Sequence, residues 1–261
     1  MALRSAFACS LGWTRTLSIV AASIVAASIV ALQGCGYYHH ATALRPVDDQ
    51  GTAMIVADDN SVTFIQDRLE VKLRPLTKEE LNRQFASDSQ AGAKSTNPYT
   101  FGDTKFWEGA EERDRFTVFQ LSVKNYAFPK VRIDPAKIVI RAKNGREYWS
   151  LNLQQLDTYY RAYAIGYRGN EYARYQSRMD LLRRTTFKNE DVFSGQEIDG
   201  FVVFQALNPD VSDVDVTVQD CILRFDYRNE PIESVDITYQ FARKIGKKFS
   251  DGQIEWEMAS R

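Results

Sequence analysis

Apolar and polar positions alternate most clearly between Arg115 and Asn125, where Thr117, Phe119, Leu121 and Val123 face one way and Gln120, Ser122 and Lys124 the other. A period of two with one apolar face predicts a strand buried on one side. Similar runs predict strands at Ser61–Gln66, Leu69–Leu76, Val131–Ile133 and Lys137–Ala142. Asn144-Gly145 then reads as a type I′ hairpin turn into Glu147–Leu151. Further strands are predicted at Gly200–Leu207, where Phe201 and Val203 oppose Val202 and Phe204, at Val214–Thr217, at Cys221–Tyr227 and at Ser234–Ala242. Thr77-Lys78-Glu79-Glu80 has the form of a capping box and predicts a short helix to about Ala86, followed by a polar loop over 87–105.

Between residues 153 and 184 the period changes. Leu153, Leu156 and Tyr160, then Tyr172, Tyr175, Met179 and Leu182, recur at helical spacing around Gly166 and Gly169, which predicts two helices. The fold class expected is therefore mainly β: an antiparallel β-sandwich over 61–245 with a short N-terminal helix and a two-helix insert at about 153–184. Residues 35–60 have no period and read as a tether, and 246–261 read as a polar tail.

The N-terminus carries a different signal. Arg4 and Arg15 precede an apolar run from Leu17 to Leu32, shorter than the roughly 20 residues that span a bilayer, so a cleaved export signal fits better than a permanent span. Leu32-Gln33-Gly34-Cys35 follows directly and resembles the lipobox of bacterial lipoproteins. The resemblance implies acylation of the Cys35 thiol, cleavage between Gly34 and Cys35, and attachment to a membrane through lipid, the outer membrane in a Gram-negative cell. Gln33 is larger than the small residues that such motifs favour.

A second resemblance spans roughly residues 115–242. Phe119–Asn125, Ile138–Tyr148 and Ser194–Phe204 are similar to immunoglobulin-like domains of bacterial surface lipoproteins, which implies that type of sandwich and brings no catalytic residues.

Charge and chemistry narrow the function. Removing residues 1–34 takes away two arginines and no acid, leaving 31 bases against 34 acids, which carries no nucleic-acid footprint. Cys221 is then the lone cysteine of the body and, amid Ile222, Leu223 and Phe225, reads as a buried inert thiol. His39 and His40 are the only histidines, so the body has none for Ser-His-Asp or Cys-His catalysis. Asp210, Asp213 and Asp215 lack the ordered spacing of a calcium loop, and no metal or cofactor is expected. Glu108, Glu111, Glu112 and Asp114 read as a solvated acidic stretch, although paired carboxylates keep a glycosidase-like hydrolase as the alternative.

The helical insert stands out. It holds six tyrosines, and with Lys188 seven bases against three acids, a local excess of four positive charges. Arginine and tyrosine are enriched at interface hot spots, so Tyr167, Arg168, Arg174, Tyr175 and Arg178 are the expected partner-binding residues. The alternative is a helix pair packing its tyrosines on the sandwich. The sequence thus points to a lipid-anchored, non-enzymatic binding or assembly module for an envelope protein or glycan.

Overall fold

The computed structural model describes residues 37–104, 113–167, 171–249 and 251–257. The segment expected to direct export, with Gly34 and Cys35, lies outside them. In chain order the strands are β1 (Tyr37–Ala41), β2 (Arg45–Pro46), β3 (Met54–Val56), β4 (Val62–Gln66), β5 (Leu69–Leu76), β6 (Phe116–Asn125), β7 (Lys130–Arg132), β8 (Ile138–Ala142) and β9 (Glu147–Trp149). After the helical insert come β10 (Asp191–Phe193), β11 (Gln196–Gln205), β12 (Asp213–Phe225), β13 (Pro231–Ala242), β14 (Ile245–Phe249) and β15 (Ile254–Trp256). The helices are α1 (Lys78–Gln84), α2 (Ala86–Ser89), α3 (Leu153–Tyr167) and α4 (Glu171–Thr185).

The chain is mainly β, and its named strands pair antiparallel in three sheets. One runs β11-β6-β5-β4-β3; another runs β10-β7-β12-β13-β2, with β8 also on β12 and β9 on β8; a small third is β1-β14-β15. The two large sheets share one apolar cluster. On β6 the odd positions Phe119, Leu121 and Val123 enter it, and Val216, Val218, Ile237 and Phe241 enter from the other sheet. Phe119 and Phe241 meet across the gap at 5.4 Å between ring centroids, and the buried Tyr239 hydroxyl donates to the Val71 carbonyl at 2.7 Å.

The five-stranded sheet is also covered on its outer face. Phe116 and Val118 of β6 and Phe201 and Val203 of β11 point away from the first cluster and pack with Leu81 of α1, Tyr99, Leu156 and Tyr160 of α3, and Met179 and Leu182 of α4. Both faces of these two strands are thus buried near one end, the consequence of apolar residues at consecutive positions. The capping box forms as the sequence predicts: Thr77 Oγ1 accepts from the Glu80 N–H and Glu80 Oε2 from the Thr77 N–H.

Four local expectations are corrected. The described part of the tether, residues 37–60, contains three strands, β1 pairing with β14 and β2 with β13. The described part of the tail, read from the sequence as polar chain without elements, pairs as β14 and β15. The turn at Asn144-Gly145 has positive φ at Gly145 alone, with Gly145 N–H donating to Ala142, so it is a three-residue loop with a left-handed glycine instead of type I′. Finally, Val214–Thr217 and Cys221–Tyr227 belong to one strand, β12, whose register shifts between Val218 and Cys221 beside a positive-φ Asp220.

Candidate functional site

The insert forms an antiparallel-type helical hairpin in which Glu171 and Arg178 turn inward while Arg161, Asp180, Arg183 and Arg184 stay exposed. Arg178 is 1% exposed. Its Nη2 donates to the Ser95 carbonyl at 2.7 Å, Nη1 reaches Glu171 Oε2 at 3.4 Å, and its guanidinium lies 5.5 Å from the ring centroids of both Tyr160 and Tyr163. Arg174 bonds the other oxygen of Glu171, itself buried. Tyr175 is half-buried and donates to Asp157 on the facing helix. The expectation that Arg178 meets a partner is therefore corrected, because burial beneath α4 commits it to the interior. Arg174 and Tyr175 bond within the hairpin. Tyr167 ends α3, and Arg168 lies outside the described residues.

What α1 helps to enclose, away from the hairpin, is a cleft that sequence periodicity did not single out. Its inner part, about 220 Å³, is bordered by Lys78, Tyr99, Phe101, Arg115 and Phe116. An outer part of about 560 Å³ is bordered by Tyr37, Tyr38, His39 and Asn208. The two are continuous, since Arg113, Asp114, Leu207 and Arg243 border both.

Each cation of the cleft is held differently. Arg115 Nη1 donates to the Tyr160 hydroxyl at 3.1 Å and its guanidinium stacks 4.4 Å over Phe101, while its Nε has no hydrogen-bond partner among the described residues. Burial works against the Arg115 charge, but the neighbouring tyrosine hydroxyls outweigh it and hold its pKa above the usual value. Burial pushes the Tyr160 hydroxyl up to about 12 in spite of Arg115, so it stays a neutral donor, here to the Pro98 carbonyl. Arg243 is fixed by two backbone carbonyls, those of Val211 and Asn208, each at 2.7 Å. Asp114 is solvent-exposed at the cleft mouth, yet the surrounding protein raises its carboxyl pKa against the pull of Lys78 and Arg243, with Glu79 adding to the rise.

Other residues singled out by type resolve into structural roles. Cys221 is fully buried, and burial pushes its thiol up to about 12, which leaves it protonated and unreactive at neutral pH. His39 and His40 are neighbours on β1, so their rings alternate across the strand and do not converge on one ion. Asp210 pairs with Arg146, and Asp213 with Lys143 at 3.3 Å. Among the described residues no cluster suited to a metal ion occurs, and no helix is long and apolar enough to cross a membrane. Glu108, Glu111 and Glu112 lie outside the described residues.

Compared with models of known protein families, with curated proteins and with solved structures, the chain has no significant match in any of the three.

Proposed function

We propose that the protein is an exported envelope lipoprotein, anchored in a membrane through Cys35, whose body is an immunoglobulin-like sandwich acting as a non-enzymatic binding or assembly module. The membrane is the outer one where the cell is Gram-negative. Two antiparallel sheets around one core support the sandwich reading. The partner is an envelope protein or glycan that presents carboxylate or phosphate groups.

The observation that carries the binding reading is the convergence of Lys78, Arg113, Arg115 and Arg243, from three distant segments, on one aromatic-walled cleft. Guanidinium groups bond carboxylate and phosphate in pairs, and aromatic walls add contact area at low entropic cost. A photo-crosslinking residue placed at Arg113 in the full chain tests it in cells. It should capture an envelope component, whereas one at Arg184, 67% exposed on the outer side of α4, should not. Capture from position 184 alone would return the binding surface to the hairpin.

A second reading, a carboxylate-dependent hydrolase of envelope material, is favoured by one specific feature: Asp114 and Glu79 border the same cleft, and the Asp114 carboxyl is held above its usual range. Turnover of peptidoglycan fragments that disappears in Asp114→Asn would establish it.

A further inference from the structure

The third sheet is small and stands beside the main body, with no other described element packed extensively on it. Its registers pair Tyr38 with Lys248, His40 with Gly246, Gly246 with Trp256 and Lys248 with Ile254. Directly paired residues share a face. One side of this sheet therefore carries Tyr38, His40, Lys248, Ile254 and Trp256, and no acid; the opposite side carries Tyr37, His39, Lys247, Phe249 and Glu255. Tyr38 is 44% and Trp256 42% exposed, although two such rings would ordinarily gain by burial. The rings of His40 and Trp256 lie 5.5 Å apart and so meet over Gly246 of the middle strand.

Chain connectivity says what lies next to this side. Tyr37 already belongs to β1, and Cys35 is two residues before it, so fully extended chain separates the cysteine from the strand by no more than about 7 Å. A lipid on Cys35 would bring the bilayer surface to the edge of the sheet.

We propose that the Tyr38–Trp256 side of this sheet is a membrane-contact surface, seated at the headgroups of an anionic bilayer and holding the domain in a fixed orientation. This rests on the anchor reading for Cys35. Tyrosine and tryptophan, with an apolar body and a polar tip, are the side chains favoured at the membrane–water interface, and lysine adds attraction to anionic headgroups. The short connection removes the freedom that a flexible tether would give. The cleft, which the opposite side borders through Tyr37, His39 and Ala41 and which Tyr38 also edges, then opens close to the membrane.

The test uses the full chain expressed in a host that lipidates exported proteins. Intact mass of the purified product first shows whether Cys35 carries acyl chains. The protein is then placed in vesicles of phosphatidylcholine with a minority of phosphatidylglycerol, containing lipids spin-labelled near the headgroup, and tryptophan fluorescence is read. Strong quenching is expected, with most of it lost in Trp256→Phe and part of it lost in Lys248→Glu. Gly246→Val supplies a second variant: a Cβ there would lie 2.5 Å from the Glu255 carbonyl oxygen, so a side chain displaces β15, and quenching should fall without a change in the unfolding midpoint of the body. Quenching indifferent to Trp256, or absent from a lipidated protein, would overturn the surface. If the mass shows no acyl group the anchor reading fails by itself, and quenching of that unlipidated protein, dependent on Trp256 or absent, still decides the surface.

Discussion

The guanidinium of Arg178 is closed off beneath the helical hairpin, paired to a buried carboxylate and stacked near two tyrosines. Taking one partner from a buried pair leaves the other charge uncompensated, at a cost of about 3–5 kcal/mol. Arg178→Ala should therefore lower the denaturant midpoint severely. Arg184→Ala, whose exposed pair with Asp180 sits at 2.8 Å, should change stability by less than about 0.5 kcal/mol. A contrasting residue is Asp191, which links β10 to β7 through Arg132 at 2.6 Å and Lys130 at 3.3 Å. The hydrogen bond from Arg132, with help from Lys130, lowers its pKa in the folded state. Its stabilisation is therefore present above the unfolded carboxylate value of about 3.9 and is lost as pH falls through the lower folded value. Unfolding midpoints measured down the acid limb should fall less steeply for Asp191→Asn than for the wild type. Cys221 should resist a thiol reagent at mildly alkaline pH while the protein is folded and react once denaturant opens the core.

At the scale of elements, β11 meets the end of the hairpin at Gly200, where a Cβ would lie 2.6 Å from both the Cα and the N of Phe187. Gly200→Ala should destabilise by about 1–3 kcal/mol through overpacking, read by thermal or chemical unfolding. The strand at 116–125 was legible because two-residue alternation runs through most of it, whereas of 196–205 only the apolar half from Gly200 was read, since Gln196–Asp199 carry little apolar signal. Tyr37-Tyr38-His39-His40 offers no such contrast, β2 is two residues long with Pro46 at a sheet edge, and β10 has three. These elements exist through pairing with strands far along the chain, which local pattern does not report. The helical pair was legible from spacing, but the direction of its charges was not. A signal was present: Glu171, Arg174 and Arg178 stand three and four residues apart, on one helix face, the spacing of a self-contained ion-pair ladder. The cleft was illegible for another reason, since its cations come together only through the packing of separate segments.

For the whole molecule, the layers run from the seven-stranded sheet through the five-stranded sheet to the helices, with the small sheet at the side where the chain leaves toward Cys35. In the proposed arrangement the body holds the cleft rigid and the anchor sets where it faces. Everything in that arrangement depends on the lipid at Cys35. Cells fed a tagged palmitate and expressing either the wild-type chain or Cys35→Ser give the most direct test: label should enter the wild-type protein and be missing from the variant, and equal labelling of the two would contradict the account.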